Sequence, residues 1–314
     1  MRTPNLIAAM LVAGSLAGPV MAQGDYPTRA VTVIVPYPAG GNADIAVRAL
    51  AEGLEEELGV SIVVTPTPGA GGISGTQKML SSRPDGHTVL VAAQSTITIQ
   101  TQTRNLSFDW DKPEYIATIA APTTYIGVDA KNERIRSFED LVEQAQQHPG
   151  EMNFAIIGGG LYQTIVLRLQ NRLDIDMVSL PFNGGPPMVA AVLGGHADAL
   201  ITDNFNSALR AIALTGESSE FYAGVPTLEE LGYPEIKSGV NYIVAAPDGT
   251  PEPVLAKLEA AFEAAAQSTK FREVLASLKW GAVWRDREET YQVVAAEAEA
   301  IRKLVDEGLM MREK

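Results

Sequence analysis

Cysteine is absent from the 314 residues. That excludes disulfides, a thiolate nucleophile and Cys-ligated zinc. Histidine is scarce: there are three, His87, His148 and His196. No metal-ligand spacing links them, and each reads as a surface or capping residue. Basic residues are outnumbered, 24 Lys and Arg against 38 Asp and Glu, for a formal net charge of −14. The acidic balance argues against nucleic acid and anionic lipid as partners. It does not exclude a small anionic ligand, because a site built from backbone N–H groups acts locally and salt screens distant carboxylates. Nucleotide motifs are missing too. In Gly75-Thr76-Gln77-Lys78 the Lys does not follow the Gly directly and no Ser or Thr comes after it, so this is not a P-loop. Ser74 stands where the third Gly of a dinucleotide fingerprint belongs. No cofactor or metal is expected.

Long apolar runs are confined to the beginning. Arg2 supplies a positive start, residues 6–20 an apolar stretch broken by Gly14, Ser15, Gly18 and Pro19, and Val20-Met21-Ala22 a small-x-Ala cleavage pattern. Residues 1–22 are expected to be a secretory signal peptide, too short and interrupted for a membrane span. The remainder is long enough for two domains of ordinary size.

The organising stretch is residues 31–58. Val31-Thr32-Val33-Ile34-Val35 is β-branched and uncharged, as suits a strand buried on both faces. From Ile45 the apolar positions Val47, Leu50, Leu54 and Leu58 fall at helical spacing, and Gly59 follows as a stop. Between strand and helix, Pro36, Pro38, Gly40 and Gly41 leave backbone N–H groups at the helix start free to face a ligand, a ready anion seat. A plainer reading makes Asn42 or Asp44 the helix cap.

The same device recurs. A second buried strand is expected at 61–64, a helix over 74–81, and a third strand over 87–92 after the turn at Pro84-Asp85-Gly86. This alternation implies a parallel sheet with ligands at the strands' carboxyl ends, which adds Gln94 and Ser95 to the candidates. Strands over 115–120 and 125–128 flank Pro122, and Ser137 opens a helix with Asp140 as a short capping-box partner. A strand over 153–157 then runs into Gly158-Gly159-Gly160 and a helix over 161–173. Residues 178–181 lead into Asn183-Gly184-Gly185, with Pro186 in the next helix's first turn, and a short strand over 199–202 ends at Asp203. A strand over 240–246, a helix capped by Thr250, and helical segments over 270–278 and 287–308 close the chain. Two α/β lobes joined by short crossings, with a cleft between them, fit this order.

Val35-Pro36-Tyr37-Pro38-Ala39-Gly40-Gly41-Asn42-Ala43-Asp44, Pro68-Gly69-Ala70-Gly71-Gly72, Arg83-Pro84-Asp85-Gly86-His87, the run Leu180-Pro181-Phe182-Asn183-Gly184-Gly185-Pro186-Pro187-Met188 and Ala246-Pro247-Asp248-Gly249-Thr250 together resemble the solute-binding proteins of tripartite tricarboxylate transporters, the Bug family. The resemblance runs in order over nearly the whole chain. It implies a monomeric periplasmic binding protein of type II-like fold, each lobe a mainly parallel sheet flanked by helices. Residues 23–122 and 246–314 would form one lobe and 123–245 the other. It also implies capture of a small organic anion, usually a carboxylate, and its delivery to the permease subunits of a membrane transporter. The implied contacts are Tyr37, Ala39, Gly40, Gly41, Asn42 and Asp44 from the first loop, and Gly159, Gly160 and Gln163 from its counterpart. Asn183, Gly184 and Asp203 complete the far wall.

Two departures bear on the ligand. Asn42-Ala43-Asp44 replaces the Gly-Thr-Asp often found in the family, and 158–163 carries Leu161 and Tyr162 in place of Ser-rich sequence. At the first, Asn42 substitutes as a donor for the lost hydroxyl; at the second, Leu161 and Tyr162 add apolar surface, which points to a ligand less charged than citrate, an aromatic or short-chain monocarboxylate, or to a second anchor from Gln163 and Asn183. Asp203 can serve as a cap or receive a ligand hydroxyl or ammonium. Tyr37 and Tyr242 fit either a ligand wall or plain core. An enzyme is the rival class, but Ser95 lacks a nucleophile-elbow setting. A co-receptor for a membrane sensor would use the same pocket.

Overall fold

Residues 31–35 form a strand because every one of them is β-branched. In the computed structural model, which describes residues 26–157, 161–308 and 310, that strand is β1 (Val31–Val35). The leader expected at 1–22 and the glycines 158–160 lie outside the described residues. Along the first lobe follow α1 (Asn42–Leu58), β2 (Ile62–Pro66), α2 (Ile73–Leu80), β3 (Thr88–Ala93), α3 (Ser95–Thr103) and β4 (Glu114–Pro122). The second lobe holds β5 (Tyr125–Asp129), α4 (Phe138–Gln147), β6 (Asn153–Ile157), α5 (Leu161–Leu173), β7 (Val178–Phe182), α6 (Gly185–Leu193), β8 (Ala199–Thr202) and β9 (Leu209–Leu214). The chain then returns through β10 (Tyr242–Ala246), α7 (Glu252–Gln267), α8 (Thr269–Ser277), β11 (Trp280–Arg285) and α9 (Arg287–Asp306).

Two sheets result, one six-stranded in the order β11-β4-β10-β3-β1-β2 and one five-stranded in the order β7-β6-β8-β5-β9. Period-two alternation sorts each strand onto two cores. Val31, Val33 and Val35 join the core that holds Leu50, Leu54 and Phe262, whereas Ile34 joins Leu90, Ile97 and Val294 on the opposite face. Helices thus cover both faces of the first sheet.

The two-lobed α/β architecture is as expected, but each sheet is mixed where a mainly parallel one was anticipated. β1 pairs in parallel with β2 and β3, while β10 runs antiparallel to β3 and β4. In the second sheet β6 pairs in parallel with β7 and β8, and β5 runs antiparallel to β8 and β9. The antiparallel strands β5 and β10 enter from the other lobe, so no crossover helix forces them parallel. Because β10 belongs to the first sheet, the return crossing precedes Tyr242, which corrects the boundary expected at 245.

Other expectations need correction. The strand expected at 61–64 to be fully buried is the sheet edge β2, with Val63 48% exposed. No element was expected over 95–103, where Thr and Ile alternate like a strand. The segment is the buried helix α3, in which Thr98, Thr101 and Thr103 donate their hydroxyls to the carbonyls of Gln94, Ile97 and Ile99. Tertiary burial overrides the strand propensity of its β-branched residues. β9 and β11 were not expected either. Thr250 does not cap α7; its hydroxyl donates to the Pro247 carbonyl, and Pro251 is the cap position. The Ser137–Asp140 capping box is present as read.

Thr215 ties the two crossings together. Its backbone N–H donates to the Thr124 carbonyl at 3.0 Å, its carbonyl accepts from the Ser238 N–H at 2.7 Å, and its hydroxyl donates to the Ser238 carbonyl at 3.1 Å. The residue is fully buried.

α1 is anchored by Leu50 and Leu54, and Gly53 lets it approach α7 closely, since a Cβ there would lie 3.0 Å from the Cα of Ala265. Leu50→Ala is expected to destabilise the fold by about 2–5 kcal/mol. Urea unfolding checks this; a loss below 1 kcal/mol, roughly that of an exposed site, would contradict the packing described.

Candidate ligand-binding site

The loop after β1 shows where a ligand can be held. Gly41 is the N-cap residue of α1 and no side chain caps that helix end. Asn42 and Asp44, expected as possible caps, do other things. The Asn42 side-chain amide donates across the cleft to the Asp203 carbonyl at 3.2 Å. Asp44 Oδ2 accepts from the Gly40 N–H at 2.9 Å and from Arg48 Nε at 3.0 Å, while its buried Oδ1 has no partner. The positive φ needed to turn the loop falls on Gly40 (+77°), with Gly41 at −74°. Where α4, α8 and α9 are closed by Ser137, Ser268 and Asp286, α1 is left open. Its first-turn N–H groups are therefore not taken by a capping side chain, with Asp44 the acidic residue of that turn.

From the second lobe, α6 has Gly184 as its N-cap residue, again without a side-chain cap. A Cβ on Gly184 would lie 3.6 Å from Pro38, so the loops that open α1 and α6 meet. Gly185 is held under Asn204: a Cβ there would fall 1.8 Å from the Asn204 side-chain nitrogen. Asn204 in turn donates from that nitrogen to Thr202 Oγ1 and to Asp203 Oδ1, both at 3.2 Å.

Aromatic side chains line the junction. The Tyr37 hydroxyl accepts from the Ala93 N–H at 2.9 Å and shares a 2.8 Å hydrogen bond with Thr96. Tyr37 meets Tyr242 edge-on, and Tyr242 stacks on Trp280 at 4.7 Å between ring centroids. Trp280 Nε1 donates to the Asp203 carbonyl at 3.1 Å, a second bond on the oxygen that Asn42 holds. Tyr162, from α5, donates its hydroxyl to the Asp203 carboxylate. Burial pushes the Asp203 carboxyl up to about 6, a rise that its hydrogen bonds offset only in part.

The structure thus brings together Tyr37, Asn42, Gly184 and Asp203, with Ala39, Gly40 and Gly41 on the same loop as Tyr37. Ser95 is buried in the first turn of α3, next to the Thr96 that holds Tyr37. Gln94 departs from its expected place: its side chain donates to Glu297 of α9 and serves the packing of α3. Asn183 is exposed, Gln163 is half-buried in α5, and Gly159 and Gly160 lie outside the described residues. Of the histidines, His87 is buried and accepts the Thr28 N–H, in place of the surface role expected for it. Trp280 was missed because nothing local distinguishes it, and Tyr162 was read only as apolar surface.

The family model described as the tripartite tricarboxylate transporter family receptor matches residues 46–309. The chain belongs to that family. Among relatives of this receptor, BugT of Bordetella pertussis is 31% identical over 87% of the chain and 86% of its own length. Among solved structures, the periplasmic binding protein BugD is 25% identical with a TM-score of 0.83, covering 91% of this chain and all of its own. MatC from Rhodopseudomonas palustris with bound malate is 25% identical with a TM-score of 0.81, covering 89% of this chain and 100% of its own.

In this receptor the lobes are joined at one carbonyl by two donors. Asn42→Ala and Trp280→Phe each remove one, at about 1 kcal/mol, or about fivefold in the closed population. Both variants are expected to show a larger radius of gyration by solution scattering and weaker ligand binding. An unchanged radius and unchanged affinity in both would show that these bonds do not hold the lobes.

Proposed function

We propose that this receptor captures a small organic carboxylate in the cleft between its lobes and hands it, unaltered, to the permease subunits of a tripartite tricarboxylate-type transporter. The observation that carries the reading is the uncapped start of α1 placed against the second lobe, with Asn42 reaching Asp203. A helix start without a side-chain cap is an anion seat, and closure of the second lobe removes water from it. Malate bound to MatC, a protein of the same fold at 25% identity, supports a carboxylate as the ligand class.

The proposed contacts are these. The ligand carboxylate sits on the backbone N–H groups at the start of α1, within the loop of Tyr37, Ala39, Gly40, Gly41 and Asn42. Gly184 and Asp203 face it from the second lobe, with Gln163 and Asn183 at its edge. Asp44 acts from behind the seat, fixing Gly40 and pairing with Arg48. The protein works as a periplasmic monomer, exported by a leader over residues 1–22, and carries no catalytic group. A membership in the receptor family supports the non-enzymatic reading.

Calorimetry with malate, succinate and short monocarboxylates is expected to find a binder that raises stability by about 2.7 kcal/mol at a hundredfold excess over Kd. NMR of the recovered ligand is expected to show it unchanged. Conversion of the ligand, or no stabilisation by any carboxylate, would overturn the reading. N-terminal sequencing of exported protein is expected to begin at or near Gln23; retention of Met1 would remove the leader.

A further inference from the structure

Two buried carboxylates flank the cleft, and their surroundings differ. Asp44 is paired with Arg48. Asp203, 6% exposed, forms no ion pair with Lys or Arg among the described residues. Its hydrogen-bond partners are neutral: the Asn204 amide, the Tyr162 hydroxyl and its own backbone N–H. Trp280 of β11 is bonded to its carbonyl, Tyr242 of β10 stacks on Trp280, Tyr37 from the first loop meets Tyr242 edge-on, and Tyr162 from α5 bonds to its carboxylate. A buried carboxylate without a counter-ion, walled by aromatic rings, has the chemistry that recognises an ammonium group. The same charge opposes a second ligand carboxylate at that end.

We propose that Asp203 and the aromatic side chains around it form a cation subsite, so that the preferred ligands are zwitterions carrying an ammonium group as well as the carboxylate. This rests on the carboxylate-capture reading and assigns the other end of the ligand. The carboxylate lies on the start of α1 and the ammonium turns toward Asp203 and the rings of Tyr37, Tyr162 and Tyr242.

The pH dependence follows from the groups that face Asp203. Tyr37, Tyr162, Tyr242, Tyr125 and Tyr222 are all pushed up by burial and stay neutral throughout. Arg48 is engaged with Asp44, and Lys279 Nζ lies over the Phe205 and Phe221 rings at 5.2 and 5.4 Å. Asp203 is therefore the group that titrates, near pH 6. Protonating it removes the partner of an ammonium and the repulsion of a carboxylate. A zwitterion is expected to bind about tenfold more weakly at pH 5 than at pH 7.5, and a plain dicarboxylate more tightly.

The test is calorimetry on the mature protein with three matched pairs: L-aspartate and succinate, L-glutamate and glutarate, 4-aminobutyrate and butyrate. In at least one pair the aminated member is expected to bind at least about tenfold more tightly. Asp203→Asn is expected to erase that preference. If plain carboxylates bind and the ammonium adds nothing in any pair, the cation subsite is wrong and carboxylate capture stands. If none of the six compounds nor malate binds, both fall. Should Asp203→Asn lose its cooperative melt, the wild-type pH profile decides: an aminated ligand that tightens on acidification overturns the proposal.

Discussion

A single main-chain oxygen organises the junction of the two lobes. A carbonyl has two lone pairs. At Asp203 one is taken by Asn42 at the start of α1 and the other by Trp280 at the start of β11, two segments of the first lobe far apart in the chain. Neither donor is free-standing. Trp280 stacks on Tyr242, Tyr242 packs against Tyr37, and Tyr37 is held by Ala93 and Thr96 at the β3–α3 corner. The second lobe is thus registered against a rigid aromatic column, and the orientation of its site residues depends on that column.

The anion seat is economical in side chains. The helices α4, α8 and α9 close their first turn with Ser or Asp, whereas α1, like α6, carries no side-chain cap, and Asp44 in its first turn fixes Gly40 from behind. An open helix start costs the stability a cap contributes, about 1 kcal/mol. A ligand recovers it on binding.

Much of this was legible in the sequence, and the failures have physical causes. The β-branched run at 31–35 and the helical spacing from Val47 to Leu58 report local periodicity, so strand, Gly-rich loop and helix were found in order. Whether a strand lies at the centre or the edge of a sheet is not local, and the 61–64 strand was misplaced for that reason. α3 was invisible because its Thr hydroxyls satisfy helix carbonyls in a segment whose composition favours strand. Of the candidate site, Gly40, Gly41 and Asp203 are expected from their position at strand ends. Trp280 is not, because its role exists only once the second lobe is placed beside β11. Gln94 was assigned by the same strand-end rule and faces Glu297 instead, which shows that the rule locates the end of a strand but not the direction of a side chain.

Thr215 has a mechanical consequence. Its hydrogen bonds to Thr124 and Ser238 splice the outgoing and returning crossings into one short ribbon. Two independent tethers would let the lobes twist, slide and tilt. A spliced ribbon resists twist and shear and bends easily only across its face, so the lobes open like a door on a single pin. Opened and closed forms of such a molecule differ by one angle alone.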